Sequence, residues 1–206
     1  MYVYLINLER RSDRLRIFKT QALKENIMYQ RIPAIDGLEL DRRDIWTRMY
    51  EGPTQKRSLK KSEIGCYLSH YMCYQDAYKN NRDWTVIFED DVKIPGSFWQ
   101  KVTKMMIELP SDADILLLGA SPLWRNKYEH LGKLKRCTLN LNKVLGEVYG
   151  LHGYIVRKKA LKTLLECKFP VDAPMDIKIT YLGLNVYIPD TDIVKVNKLG
   201  SNTQCK

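Results

Sequence analysis

The sequence lacks any apolar run of the roughly 20 residues that a membrane-spanning helix needs. Its apolar start, Met1 to Leu8, runs directly into Glu9-Arg10-Arg11 and has neither the basic leader nor the small-residue cleavage site of a secretory signal. Internal repeats and low-complexity segments are also missing. We therefore expect a soluble cytoplasmic protein with a single domain over residues 1–206.

Cysteine is sparse, and no Cys-x-x-Cys pair occurs among the five cysteines, which argues against a zinc ribbon or a thioredoxin-like site. Cys66 and Cys73 are seven residues apart in a helical pattern, and we interpret both as small core residues on one helix face. Reduced thiols fit a cytosolic protein.

Acidic residues are outnumbered by basic ones, 24 to 34, so the formal net charge is +10. Residues 123–144 hold six Lys and Arg against one Glu. Such a segment can contact nucleic acid, an anionic membrane surface or phosphorylated substrates, or can simply be a solvated surface. No signature of a nucleic-acid-binding fold accompanies it, so we do not expect a nucleic-acid partner.

Apolar strand patterns alternate with helix patterns along the chain, which predicts an α/β fold with a three-layer arrangement. Residues 38–60 break this alternation and are predicted to be a long loop with a short helix at most. The predicted strands are 2–8, 32–35, 84–88, 114–119, 153–156, 186–189 and 193–196, and the predicted helices are 12–25, 62–78, 98–109 and 158–167.

The most informative motif is Glu89-Asp90-Asp91, which follows the buried strand pattern Val86-Ile87-Phe88. Side chains alternate along a strand, so Glu89 and Asp91 are expected on one face and Asp90 on the other. Carboxylates at a strand end offer the oxygen ligands that Mg²⁺ or Mn²⁺ prefers, and such ions complete their shell with phosphate oxygens. A solvated acidic turn is the alternative.

A second motif, Glu63 to His70, opens a predicted helix. Gly65 is costly so early in a helix, by about 1 kcal/mol relative to Ala, and indicates close approach of a ligand or another backbone. Glu63 and His70 lie two turns apart on one face and could line a pocket. The alternative is a capping acid and a core histidine.

Together these segments resemble glycosyltransferase family 25, which includes lipooligosaccharide and collagen hydroxylysine galactosyltransferases. The matching segments are spread in order over nearly the whole chain. They are residues 6–14, 34–37, 63–70, 88–91, 150–156, 170–172 and 200–204, the last with Asn202 in place of the family's Asp.

The resemblance implies an A-type glycosyltransferase: a Rossmann-like three-layer sandwich with a mixed, mainly parallel sheet that binds a UDP-sugar and Mn²⁺ or Mg²⁺. Asp91 is then the first choice for metal ligand, and Glu89 contacts the metal or the donor ribose. The other residues expected at the donor site are Asn7, Arg14, Ala34, Asp36, Glu63, Ser69, His70 and Asp90. For Arg14, an exposed helix charge is the alternative.

His152 is either a third metal ligand or an acceptor contact by the same resemblance. Inverting transfer needs a carboxylate to take the proton of the acceptor hydroxyl. Asp172 matches the family's Pro-Val-Asp segment and is our first choice for this base, and Asp176 is the second. A helix N-cap role at either position is the alternative.

We therefore expect a metal-dependent, inverting transferase that moves galactose or glucose from a UDP-sugar to a glycan, glycolipid or glycoprotein. The alternatives are a Mg²⁺-dependent nucleotidyltransferase that uses the same acids, and a basic nucleic-acid-binding protein. The chain is short for the family, so the basic segment 123–144 is expected to supply any peripheral contact with anionic headgroups.

Overall fold

The computed structural model describes residues 1–41, 47, 50–51, 56–121, 134–147, 149–167 and 169–197. Strands and helices alternate over most of this range, as the sequence predicts. The strands are β1 (Tyr2–Asn7), β2 (Gln30–Pro33), β3 (Tyr50–Glu51), β4 (Lys56–Arg57), β5 (Trp84–Glu89), β6 (Val92–Lys93), β7 (Ile115–Leu117), β8 (Leu134–Arg136), β9 (Leu141–Val144), β10 (Gly153–Arg157), β11 (Val186–Pro189) and β12 (Lys195–Val196). The helices are α1 (Ser12–Lys24), α2 (Lys61–Lys79), α3 (Phe98–Glu108), α4 (Lys158–Glu166) and α5 (Met175–Tyr181), with a 3₁₀ turn at Gly37–Glu39.

Eight strands form the central sheet in the order β2-β1-β5-β10-β7-β11-β9-β8. The pairs β1–β2, β1–β5 and β7–β11 are parallel, and the other four pairs are antiparallel. Only β10 and β9 therefore run against the other six strands. This sheet confirms the predicted α/β class with a mixed, mainly parallel sheet.

Helices cover both faces of the sheet, because its inner strands are apolar on both sides. Tyr4 and Ile6 of β1 pack on the side of α2, α4 and α5, whereas Val3 and Leu5 pack on the side of α1 and α3. The alternation of side chains along β1 places these pairs in two separate cores. The predicted three-layer arrangement is confirmed.

Some predicted elements differ from the observed ones. The predicted strand 193–196 is reduced to β12, which pairs with β6 outside the central sheet, and α5 was not predicted. Within the predicted loop 38–60, β3 and β4 form a short antiparallel pair, while residues 42–46, 48–49 and 52–55 lie outside the described residues. The basic segment 123–144 is described only from 134, where β8 and β9 form a hairpin.

None of the helices in the described ranges combines the length and the apolar character that crossing a membrane would require.

Candidate functional site

The candidate site lies at the sheet edge where β1 and β5 end and β10 begins. β10 runs antiparallel to β5, so the residue before β10 lies opposite the last residue of β5. The Glu89 N–H accordingly donates to the backbone carbonyl of His152 at 3.1 Å. This pairing brings the acidic motif and His152 together from positions 63 residues apart.

Asp90 is buried and forms the centre of a polar cluster on the α1 side of the sheet. Its carboxylate accepts hydrogen bonds from Asn7 Nδ2 and from Arg14 Nη1, each at 2.7 Å. Asn7 Oδ1 also accepts a hydrogen bond from Arg31 Nε at 2.9 Å. Arg14 is only 3% exposed, so the alternative of an exposed helix charge is wrong. Asn7 and Arg14 hold the turn that follows β5.

Asp91 lies in that turn, and the negative charge of its carboxylate is poorly compensated by neighbouring groups. One carboxylate oxygen lies 3.5 Å from Arg14 Nη1, and the other is buried without a hydrogen-bond partner among the described residues. Burial, and then the negative charge of Glu89, raise the pKa of Asp91 to about 7, although Arg14 opposes the change. A buried carboxylate oxygen with no partner favours binding of a cation.

The Glu89 side chain lies on the opposite face of the sheet from Asp90 and points toward α2, as the alternation of side chains along a strand predicts. Its Oε1 lies 3.1 Å from His70 Nε2 and 3.9 Å from Cys66 Sγ. Burial raises the pKa of Glu89, but the hydrogen bond from His70 and the positive potential of the surrounding groups, Arg14 among them, outweigh burial and lower it overall. Glu89 is therefore ionised at neutral pH.

His152 is 3% exposed, and neither ring nitrogen has a hydrogen-bond partner within the described ranges. Burial lowers the pKa of His152, although the charges of Glu89 and Asp192 and the nearby backbone of Val194 oppose it. Gly119 provides the room for the ring, because a Cβ at that position would lie 2.9 Å from His152 Nε2 and 2.3 Å from the Val194 carbonyl oxygen. A neutral buried imidazole without a partner fits the chemistry of a metal ligand.

Asp176 and Asp172 have different surroundings. Asp176, in the first turn of α5, accepts hydrogen bonds from the backbone N–H groups of Gly150 at 2.9 Å and Ile177 at 3.0 Å. Burial raises the pKa of Asp176 to about 6, and the charge of Glu89 adds to this. Asp172 instead pairs with Lys178 Nζ at 2.6 Å. Pro174 is the N-cap of α5, so the N-cap alternative is wrong for both aspartates.

Residues 34–37, which follow β2, are held against the start of α2. Ser69 Oγ accepts from the Ile35 N–H at 2.9 Å and donates to the Gly65 carbonyl at 2.7 Å. A Cβ on Gly65 would lie 2.6 Å from the Ile35 carbonyl oxygen, which confirms the predicted close backbone approach. Ala34 continues the β2 pairing, because its N–H donates to the Asn7 carbonyl at 3.0 Å.

Two acids predicted at the donor site have protein partners. The Arg10 hydrogen bond lowers the pKa of Asp36, which also accepts from the Leu38 N–H. Glu63 binds Arg57 through both oxygens, at 2.7 and 2.8 Å, and accepts from the Lys60 N–H, as the capping alternative expects. A direct contact of either acid with a donor remains a prediction.

One residue, Cys66, lies beside the site without having been predicted there. Among the described residues, the group whose potential ligand atoms all lie within 4.8 Å of one another is Cys66, His70 and Glu89, and Asp91 and His152 lie outside it. Cys73 is buried in the core, but Cys66 is half-buried and faces Glu89, so its assignment to the core was wrong. The four-residue spacing of Cys66 and His70 on one helix face was the available signal.

Comparison with known proteins assigns the family. The family model described as Glycosyltransferase family 25 (LPS biosynthesis protein) matches residues 1–179. The chain belongs to this family, and the predicted family resemblance is confirmed. The segment 200–204 lies beyond the matched residues and outside the described residues, so its part in the resemblance stays a prediction. The predicted enzyme class, a glycosyltransferase, agrees with this assignment.

Individual relatives are distant and much longer. A "Glycosyltransferase 25 family member" of Aedes aegypti is 27% identical over 175 residues, which cover 81% of this chain and 28% of that protein. Human "Procollagen galactosyltransferase 2" is 30% identical over 126 residues, 57% of this chain and 20% of that protein. Human "Inactive glycosyltransferase 25 family member 3" is 28% identical over 126 residues, 57% of this chain and 21% of that protein. The chain thus spans 20–28% of the length of these relatives.

Among solved structures, A197 from STIV is similar to this chain, with a TM-score of 0.52 and 14% sequence identity, covering 95% of this chain and 84% of that one. At this identity the similarity concerns the fold alone.

Proposed function

We propose that the protein transfers a hexose, galactose or glucose, from a UDP-sugar to a hydroxyl group of a glycan, glycolipid or glycoprotein, with Mn²⁺ or Mg²⁺ and with inversion at the sugar carbon. The observation that carries the proposal is the buried acidic edge of β5, in a chain of glycosyltransferase family 25. The similar human protein named as a procollagen galactosyltransferase favours galactose as the sugar.

The residues proposed to hold the ion are Asp91, Glu89 and His152. The unpartnered carboxylate oxygen of Asp91 and the two unpartnered ring nitrogens of His152 fit a cation, since each is a buried ligand atom without a protein partner in the described residues. When bound, the ion would stabilise the negative charge on the departing diphosphate. Asn7 and Arg14 act by orienting the 90–91 turn, because Asp90 already engages both side chains.

Donor binding is assigned to the loop after β2. Ala34 and Asp36 would line the nucleotide pocket, and Ser69 and Gly65 would fix the loop on α2. Glu63 would act indirectly through its contacts at the start of α2. In this assignment the close backbone contact between residues 35–37 and α2 fixes the position of the loop before the donor arrives.

Of the two candidate bases, Asp176 is the better placed for the proposed reaction. The charge of Asp172 is compensated by its ion pair with Lys178. Asp176, in contrast, is close enough to Glu89 for the negative charge of Glu89 to raise the pKa of Asp176. Asp176 would accept the proton of the acceptor hydroxyl as its oxygen bonds to the sugar carbon. The electron pair of the broken sugar–phosphate bond then leaves with UDP. Activity is expected to rise as pH increases through about 6, because the base must be ionised.

A thermal-shift experiment with UDP, GDP and CDP, each with and without Mn²⁺, tests the donor assignment. A ligand that binds the native state raises its apparent stability, so UDP with Mn²⁺ should give the largest shift. Asp91→Ala should remove the Mn²⁺-dependent part of that shift. Glu166→Ala is the matched control, because Glu166 is an exposed acid that pairs only loosely with Lys162 at 3.9 Å.

Release of UDP from UDP-galactose and UDP-glucose, with a panel of glycan and glycoprotein acceptors, tests transfer itself. Asp176→Asn should lower kcat by about 10²–10⁴-fold, the range for loss of a general base, while Asp172→Asn should change it much less. The existence of a relative named as inactive makes this measurement necessary. If no nucleotide shifts the melting temperature and no UDP is released, the proposal is wrong.

Peripheral contact with an anionic membrane surface in the cytoplasm is a further part of the proposal. It depends on the basic segment 123–144, of which residues 134–144 are described. There Arg136 pairs with Asp190 and Lys143 lies 3.4 Å from Asp112, so part of this charge is already compensated. Sedimentation with vesicles that contain an anionic lipid should fall with added salt if the contact is real.

A further inference from the structure

A line of hydrogen bonds runs from the core to Glu89. Tyr74 Oη lies 2.7 Å from Tyr154 Oη, which lies 2.8 Å from His70 Nδ1, and His70 Nε2 lies 3.1 Å from Glu89 Oε1. Tyr74, Tyr154 and His70 are all fully buried. Buried polar groups placed in a chain strengthen one another, because each bond polarises the next.

With a neutral His70 ring, this line of hydrogen bonds has a single direction. An ionised carboxylate only accepts, so His70 Nε2 must carry the proton that faces Glu89. In a neutral ring Nδ1 is then an acceptor to which Tyr154 donates, whereas a doubly protonated ring would donate from Nδ1 to Tyr154. The Tyr154 oxygen in turn accepts from Tyr74. Every donor in the line therefore points toward Glu89.

We propose that His70, Tyr154 and Tyr74 are positioning residues that hold the His70 ring with its Nε2–H on Glu89 and so orient Glu89 for the donor ion. This inference rests on the proposed function, because the donor ion is what Glu89 would serve. None of the three residues would contact the donor. A hydrogen-bonding partner behind a metal-site residue typically matters by 10- to 100-fold in metal affinity or activity.

If Cys66, His70 and Glu89 instead bind a metal ion directly, the opposite tautomer of His70 is expected. Cys66, His70 and Glu89 are close enough together to bind a soft ion directly. His70 Nε2 would then give its lone pair to the ion, and the ring proton would move to Nδ1 and point at Tyr154. Every hydrogen bond in the line would then have the opposite direction, and replacing Cys66 would weaken metal binding as much as replacing His70.

The tautomer can be measured without any assay of function. The chain has only three histidines, so ¹⁵N-histidine labelling gives a spectrum in which His70→Gln identifies the His70 signals. The metal-free protein should show the Nε2–H tautomer at His70, and Tyr154→Phe should keep it, because Glu89 still accepts from Nε2. An Nδ1–H tautomer or a doubly protonated ring at His70 in the parent protein overturns the proposal.

The effect on the site is measured as the Mn²⁺ concentration that gives half of the maximal UDP-sugar turnover. Tyr154→Phe and His70→Leu should raise it by about 10- to 100-fold. Tyr74→Phe should raise it less, because Tyr154 can still donate to His70. His70→Gln should recover part of the loss, since its amide nitrogen can donate to Glu89. Cys66→Ala should behave as the parent.

The outcomes separate this inference from the proposed function. If Glu89→Gln abolishes the Mn²⁺ response but Tyr154→Phe and His70→Leu keep it, the positioning chain is wrong and the function stands. If Cys66→Ala is as damaging as His70→Leu, the three residues are metal ligands and the chain is wrong. If the parent shows no response to Mn²⁺ and UDP-sugar, the proposed function is wrong and the tautomer alone decides whether the chain orients Glu89.

Discussion

Replacing Asp91 with Asn should stabilise the metal-free protein at neutral pH. Asp91 has a pKa of about 7 in the fold against an ordinary 3.8, and its side chain is 17% exposed. The folded protein therefore holds this proton more tightly than the unfolded chain does. Its stability falls as pH rises from about 4 to about 7, and the loss is complete above pH 7.

The magnitude follows from that difference in pKa. At 1.36 kcal/mol per pKa unit it corresponds to about 4 kcal/mol, which is an upper limit because Arg14 loses a charged partner in the variant. Asp91→Asn should thus be more stable than the parent above pH 7 by as much as about 4 kcal/mol, and nearly equal to it near pH 4. Arg14 keeps its contact with Asp90 at 2.7 Å in both proteins.

Urea denaturation at several pH values, in a buffer with a chelator, measures this difference. Adding Mn²⁺ in place of the chelator should then stabilise the parent at neutral pH and leave Asp91→Asn unchanged, because the ion needs the ionised carboxylate. Glu166→Gln, at an exposed position, should follow the parent at every pH. A variant that is no more stable than the parent at neutral pH would refute the argument from burial and charge repulsion.

Two further predictions concern the framework of the site. Gly65→Ala should destabilise the fold by about 1–3 kcal/mol in urea denaturation, because its Cβ would overlap the Ile35 carbonyl oxygen; Gly96→Ala, where the nearest atom would be 3.9 Å away, should cost much less. Arg14→Leu should cost about 3–5 kcal/mol by leaving the Asp90 carboxylate buried without its cation. The double variant with Asp90→Asn should recover part of this cost, and equal stabilities of the single and double variants would contradict the pairing.

The strands and most helices could be predicted because their signals are local. The β5 pattern ends where three acids begin, and its burial on both faces follows from a run of apolar residues. The close backbone approach at Gly65 could also be predicted, because glycine is unfavourable in a helix unless another group must come close to it. The direction of β10 could not be predicted, because the sequence of an apolar strand does not indicate which strand it will pair with.

The partners within the site could not be predicted, because they are distant in sequence. Asp90 meets Arg14 across 76 positions, and His70 meets Tyr154 across 84. The pairing of Asp172 with Lys178 is local, at a distance of six residues, but it depends on α5, which the sequence pattern did not reveal. This pairing is the reason why Asp176, and not Asp172, is proposed as the base.

The insertion of β10 against the general direction of the sheet has a practical consequence for engineering. β7 ends at the same rim where β10 begins, so the chain leaves the active edge after Leu117 and returns to it at His152. Loops grafted between these two points, outside the β8–β9 hairpin, would add new surface beside the acidic end of β5 while β5 keeps its register with β1 and β10. A library built there would test whether this rim governs the choice of acceptor, with Glu89, Asp90 and Asp91 left unchanged.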